Sequence, residues 1–321
     1  MPSDSPGDPR GRTADRPSEI PKRGWKEIGR RIKDSVTRDR VTFVAAGVAF
    51  YILVGIVPTL AVIVSLYGLM ADPSDVTRQV EQLEGLIPPT ALEIIDTELT
   101  RVASSEKEAG IGAIVGILFA LWGGSKAMDA LITSLNIAYG ENERRGFVKR
   151  KLLGLALTLG AALFVILTVA ILVGIPLVLA VVGLGGFGET LLAIVRWPLL
   201  FVIATLAISL LYRYAPHRAD AKWRWISWGS VTATVLWVLG SAVFSYYASR
   251  FGDFNKSYGS LGAIVLLLLW FYITGFAIIL GAEMNSELER QTEVDTTTDP
   301  PKPMGERGAF VADTPPPTDQ G

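Results

Sequence analysis

The sequence predicts an all-α, polytopic membrane protein with six transmembrane helices. Three observations carry that reading. Half of the 321 residues are apolar, and mean hydropathy is +0.39. Only 19% of residues are charged, against about 25% in soluble domains. The charge is also segregated. Residues 1–40 hold eleven Lys or Arg, residues 290–321 are mostly Asp, Glu, Thr, Pro and Gly, and long charge-poor runs lie between. A soluble core helix is rarely apolar on every face over such lengths.

The elements follow in chain order. Residues 1–21 have almost nothing to bury and are expected to be a disordered cytoplasmic tail, with no cleavable signal peptide. Segment 22–40 reads as an amphipathic helix, with Trp25, Ile28, Ile32 and Val36 at helical spacing. Trp25, Lys26, Arg30, Arg31 and Lys33 would set it on the anionic cytoplasmic leaflet; a solvated basic linker is the alternative. A membrane domain is expected over 41–289, with spans at 41–70, 110–138, 152–182, 191–213, 225–249 and 258–282. Each meets the roughly 20 apolar residues that a bilayer core requires. Pro58 in the first span and Pro176 in the third are expected to kink their helices.

Outer loop 71–109 carries two apolar stripes, Val76, Val80, Leu83 and Ile87, then Leu92, Ile95, Leu99 and Val102, separated by Pro88-Pro89. Two short amphipathic helices fit them. A Gly-rich outer turn is expected at Gly183–Gly188, and Arg196-Trp197-Pro198 marks the outer start of the fourth span. Residues 290–321 are expected to be a second disordered tail.

Orientation comes from the loops. With six spans, 23 Lys or Arg fall on the side of the two termini and five on the other, Lys126 and Arg196 being left out as membrane or interface residues. Cytoplasmic loops hold the excess, so both termini are expected in the cytoplasm of a bacterial inner membrane. Net charge is −1, which offers no basic field for nucleic acid. With no Cys and one residue of His, His217, disulfides, Cys-ligated zinc, thiol catalysis and multi-His metal sites are excluded. There is no P-loop, and Gly183-Leu184-Gly185-Gly186-Phe187-Gly188 resembles a nucleotide fingerprint in composition alone. No cofactor is expected. The partners expected are membrane lipids and a lipid or small-solute substrate, and oligomeric state is left open.

Lys126 and Asp129 are the charges nearest the middle of a span, one helical turn apart on one face. An isolated intramembrane charge costs about 2.5–3.5 kcal/mol on insertion scales. The pair reads as a polar site on a solute or lipid path, or as a structural ion pair, or as charges that reach the inner interface on a helix that begins deeper. Glu283 and Asn285 close the sixth span, Glu283 reading as an interfacial acid whose carboxylate reaches water, or as a proton site. Asn136 and Ser134 can hydrogen-bond between helices. Asn255, Lys256, Tyr258 and Gly259 form a polar loop before the sixth span.

Several stretches then resemble one known family. They are Ala45-Ala46-Gly47-Val48-Ala49-Phe50-Tyr51 with Val57-Pro58; Leu121-Trp122 through Leu135-Asn136-Ile137-Ala138-Tyr139 with Arg144-Arg145; Leu211-Tyr212-Arg213-Tyr214-Ala215-Pro216; Leu236-Trp237; Asn255-Lys256-Ser257-Tyr258-Gly259-Ser260-Leu261-Gly262; Leu269-Trp270; and Leu280-Gly281-Ala282-Glu283-Met284-Asn285. Over about residues 25–290 the chain resembles the YihY/BrkB family of bacterial membrane proteins. Ser227-Trp228-Gly229-Ser230, where the family tends to Pro-Gly-Ala, and Gly55, where Ser is usual, depart from it. The resemblance implies a six-span inner-membrane protein without a settled activity. It also implies two old labels, ribonuclease BN and virulence factor, and a link of some relatives to envelope lipid export. Phosphodiester hydrolysis needs a metal cluster or an acid–base constellation open to water, and the residues offer neither, so no enzyme activity is expected; transport or export of a lipid or small solute is the first expectation, a structural or scaffold role in the envelope the alternative, and the ribonuclease label the third.

Overall fold

The computed structural model describes residues 8–70, 109–174, 185–250, 260–298 and 300–315. Among them are helices and no strand, with one isolated antiparallel bridge between Ala221 and Thr297. After a 3₁₀ turn at Pro17–Glu19 come α1 (Lys22–Arg38), α2 (Val41–Met70), α3 (Ala109–Ala138), α4 (Phe147–Val169), α5 (Gly185–Tyr214), α6 (Trp223–Arg250), α7 (Ser260–Glu289) and the short α8 (Phe310–Asp313). A π-helical turn, Ala170–Gly174, extends α4.

Among the described residues, four helices are long and apolar enough to cross a membrane: Phe147–Leu172, Ile194–Tyr214, Trp223–Ser249 and Ile264–Glu289. Their outward faces are apolar. Leu159 and Ile166 on α4, Val202 and Leu206 on α5, Val243 on α6 and Val265 on α7 are exposed. Water does not tolerate so continuous an apolar surface, but lipid does. The chain is therefore a multi-pass membrane protein. The first two predicted spans are helices too, α2 and α3.

The chain divides into two compact units. The first draws on described residues within Met1–Ala45, Leu131–Leu239 and Gly275–Gly321. Its core gathers Ile132, Leu135, Tyr139, Tyr212, Ile226, Ala233, Ala282 and Val311. Small residues let helices meet: a Cβ at Gly229 would strike the Gly281 carbonyl and Asn285, and one at Gly281 would strike Tyr212 and the Gly229 carbonyl. The second unit draws on Ala46–Ala130 and Gly240–Thr274. There a Cβ on Gly123 would lie 2.6 Å from Gly55 Cα, so α2 and α3 touch backbone to backbone. Trp270 Nε1 donates to Ser241 Oγ at 3.2 Å, linking α7 to α6.

Several expectations are corrected. The helix of the fourth span does not start at Arg196-Trp197-Pro198: α5 starts at Gly185 and passes through Pro198, although the stretch apolar enough to cross a membrane runs from Ile194 to Tyr214. A proline removes one backbone donor, yet α5 is helical on both sides of Pro198, and residues 185–188 of the expected Gly-rich turn are helical. The sixth helix runs on to Glu289 rather than ending near 282. The apolar face of α1 packs on protein and not on lipid: Ile28, 1% exposed, joins Trp225, Leu288, Ile20 and Ala14, with Trp25, Ile32 and Met284 against them. Trp25 meets Trp228 at 5.5 Å between ring centroids. Lys26, Arg30 and Lys33 stay exposed, while Arg31 turns inward.

Neither tail is disordered where it is described. Residues 8–20 bury Ala14, Pro17 and Ile20, and residues 291–312 bury Gln291, Thr292, Thr296, Thr297, Ala309, Val311 and Ala312. Their polarity is consumed in hydrogen bonds to backbone. Gln291 Nε2 donates to the Arg10 carbonyl at 2.7 Å and Thr292 Oγ1 to the Ala14 carbonyl at 2.7 Å. The Ala219 amide donates to the Gly308 carbonyl at 2.8 Å, and Arg307 donates to the carbonyls of Ala312 and Glu293. Pro58 lies inside α2, which stays helical on both sides of it. Pro176, the loop residues Asn255, Lys256, Tyr258 and Gly259, and residues 71–108 of the outer loop lie outside the described residues.

Candidate functional site

At 30 residues, α7 is about 45 Å long at about 1.5 Å per residue. A hydrocarbon core is about 30 Å thick. Roughly ten residues must extend past it, and the composition changes accordingly. From Leu261 to Ala282 the helix is almost wholly apolar; then come Glu283, Asn285, Ser286, Glu287 and Glu289, all buried. Burial of so many polar groups requires partners, and α1, α3, the residues before α6 and the C-terminal segment supply them.

Glu287 is held from α1. Arg31 Nε donates to Glu287 Oε2 at 2.6 Å and Ser35 Oγ to Glu287 Oε1 at 3.1 Å. Arg31 also reaches the Gln291 side chain at 2.7 Å, tying the helix to the segment beyond it. Glu289 faces the other way. Arg218 grips it with both terminal nitrogens, at 3.0 and 2.6 Å, and Thr296 Oγ1 donates to it at 2.8 Å. The Arg218 and Glu289 side chains are 2% and 0% exposed. The guanidinium also lies 4.9 Å from the Tyr139 ring centroid, a cation–π contact. Burial opposes the Arg218 charge, but the Glu289 carboxylate beside it outweighs that and holds its pKa above the ordinary value.

Glu283 is different. It is 0% exposed, and neither carboxyl oxygen accepts a hydrogen bond. The charges that act on it are Asp39, at the end of α1, its own-helix neighbour Glu287, and Arg38. Tyr139 Oη and Asn285 Nδ2 are likewise buried without a hydrogen-bond partner. Asn285 Oδ1 accepts from the Gly229 amide at 2.8 Å. The sequence expectation of a carboxylate reaching water is therefore corrected. The two turns after Ala282 are roofed by α1 and by the residues beyond α7.

Asn136 binds loops together. Its Nδ2 donates to Glu143 at 3.1 Å and its Oδ1 accepts the His217 amide at 2.7 Å. Arg145 completes that junction by donating to the carbonyls of Ala215, at 2.8 Å, and Pro216. Burial raises the Glu141 carboxyl above its ordinary value, against the Phe310 amide, which donates to it at 2.7 Å.

Lys126 and Asp129 lie in the other compact unit from Asn136, Glu283 and Asn285. Both are half-buried, and the Lys126 ammonium stands 5.9 Å from the centroid of the Trp122 ring. Residue 126 is within a turn of the midpoint of α3. Sequence reasoning missed Asp39, Arg218, Glu287 and Glu289. Their signal was present as helical spacing: Glu283 and Glu287 stand four apart, and Arg31, Ser35 and Arg38 share a face of α1. Among the described residues no three of His, Asp and Glu come together as a metal-binding set.

The family model described as virulence factor BrkB matches residues 32–305. The chain is 32% identical over 257 residues to the ribonuclease-like protein YfkH of Bacillus subtilis, covering 78% of this chain and 90% of that one. It is 30% identical over 259 residues to a UPF0761 membrane protein of Cronobacter sakazakii, covering 79% and 85%. A UPF0761 membrane protein of Tolumonas auensis is 26% identical over 261 residues, covering 79% and 82%. No solved structure matches the chain. The match takes in α2 to α7 and the C-terminal segment as far as residue 305, polar turns of α7 included, and on that extent the chain belongs to the BrkB family of membrane proteins.

Proposed function

We propose that this protein transports or exports a lipid or small solute across the bacterial inner membrane, without hydrolysing a nucleotide itself. One observation carries the reading: a lysine and an aspartate, Lys126 and Asp129, sit half-buried near the middle of a 30-residue apolar helix. Ionisable groups at such depth are expensive, and they mark substrate and ion paths in membrane proteins. In this reading α2 and α3 also cross the membrane, giving six spans with both termini cytoplasmic. The exposed cations Lys26, Arg30 and Lys33 then face the anionic leaflet. Reporter fusions after Ser105 and Gly188 should report outside and one after Arg145 inside; any reversal removes the topology.

The transport reading is tested with Lys126→Ala, Asp129→Ala and the double variant, each scored for membrane accumulation and for complementation of a deletion strain. Full-length protein in vesicles with fluorescent lipid provides the flux readout. The double variant should accumulate but fail to complement. If it accumulates and complements as wild type does, the pair is structural and the reading falls.

A scaffold role is the second reading, and the packed cytoplasmic-side segments favour it in one respect: they offer a folded surface. The ribonuclease-like label belongs to the Bacillus relative's name.

A further inference from the structure

The buried acid at the end of α7 stands outside the transport reading. Three observations meet there. Glu283 is fully buried with both oxygens unserved by any donor. The cations nearby are engaged by other acids: Arg31 by Glu287 at 2.6 Å, Arg38 by Asp39 at 3.1 and 2.9 Å. The charges bearing on Glu283 are two acids, Asp39 and Glu287, and Arg38, while the turn after α3 presents the phenol of Tyr139. An ionised carboxyl in that position would bear the full desolvation cost of an unpaired charge, beside two like charges, and buried acids escape that cost by taking up a proton. A protonated carboxyl is also a donor, and Asp39 is within its reach as acceptor.

The second element is the joint above it. Asp39 and Arg40 alone separate α1 from α2, and Arg40 adopts φ 49°, a left-handed conformation unusual for a non-glycine residue. The acid therefore lies under a two-residue strained hinge whose first residue is its neighbour.

We propose that Glu283 is a proton-binding site, its carboxyl neutral and donating to Asp39, and that loss of this proton releases the C-terminal end of α1 from the bundle. On release the O–H bond breaks, the electron pair stays on the carboxylate and the proton passes to water. Glu283 then repels Asp39 and Glu287. The hinge at Asp39-Arg40 yields first, because α1 is held to α7 there by charge and further along by packing of Ile28 and Trp25. The inference is independent of any transported solute.

The test uses full-length protein in lipid nanodiscs. Trypsin cleavage within α1, at its exposed Lys and Arg, reads opening of the helix when cleavage is slow relative to reclosing. Wild type and Glu283→Gln, which keeps the shape and a donor but cannot ionise, should be cut equally slowly at neutral pH. As pH rises, the wild-type to Gln ratio should climb by up to about tenfold per pH unit, the limit for one proton. Infrared spectra of wild type at neutral pH should show a protonated-carboxyl band that Glu283→Gln lacks. A flat ratio, or absence of that band, overturns the proposal. If Glu283→Gln does not accumulate, Asp39→Asn decides: removing the negative neighbour should make the wild-type band titrate at lower pH, and an unmoved titration overturns the proposal equally.

Discussion

Arg218 and Glu289 offer the most demanding test of how the C-terminal end of α7 is held. Both side chains are almost fully buried, and they meet through two charge-assisted hydrogen bonds at 3.0 and 2.6 Å. Exposed ion pairs contribute little, but this one is shielded from water. Removing Arg218 leaves Glu289 with Thr296 as its remaining donor. Removing Glu289 leaves a guanidinium against the Tyr139 ring. Stranding one charge of a buried pair costs about 3–5 kcal/mol, whereas replacing both with apolar groups of similar volume is often close to neutral. Arg218→Met and Glu289→Met should therefore each destabilise by about 3–5 kcal/mol. The double variant should lie within about 1–2 kcal/mol of wild type, since the Thr296 hydroxyl then lacks its acceptor. Denaturant unfolding of detergent-solubilised protein, followed by tryptophan fluorescence, supplies the double-mutant cycle. Additive losses, or single losses below about 1 kcal/mol, would show that the pair is hydrated and that α7 is not anchored by it.

Other outcomes follow from packing and charge. Gly229→Ala places a methyl against the Gly281 carbonyl and Asn285, and should cost about 1–3 kcal/mol; Gly29→Ala, with nothing within 4 Å, should stabilise α1 by about 0.5–1 kcal/mol, so thermal melts of the two should move in opposite directions. Burial opposes the Asp295 carboxylate, but the Lys302 and Thr297 amides outweigh it and hold its pKa below the ordinary 3.8. The lowered value means that its contribution is complete above 3.8 and is lost as pH falls through the folded pKa. Hydrogen exchange of residues 291–298 should thus accelerate only at strongly acidic pH, and Asp295→Asn should remove that acid step.

The helices were legible because lipid leaves an unambiguous mark: long runs without charge, bounded by Lys, Arg and Trp. Their ends were less so. The sixth run looked finished at Ala282 because Glu283 and Asn285 are polar, yet α7 continues because α1 and the C-terminal segment roof its last turns. Pro198 looked like a start signal, but α5 begins well before it, at Gly185, and runs through it. The tails looked empty because burial was sought in apolar side chains; here Thr292, Gln291 and Arg307 fold by bonding to main-chain carbonyls. Trp25 and Arg31 read as lipid contacts because amphipathicity identifies a buried face without identifying what buries it.

The hydrogen bonds from Gln291 and Thr292 to the carbonyls of Arg10, Arg12 and Ala14 also impose an order of assembly. Those carbonyls precede α1 to α7 along the chain, and their donors follow α7. The N-terminal arm must therefore remain open through insertion of every span, and α1 must wait for Glu287 before Arg31 has a partner. Closure of this end therefore follows the making of α7. A chain stopped short of α7 keeps the arm unlatched and the buried faces of Ile20 and Ile28 bare, in reach of the proteases that clear incomplete membrane proteins.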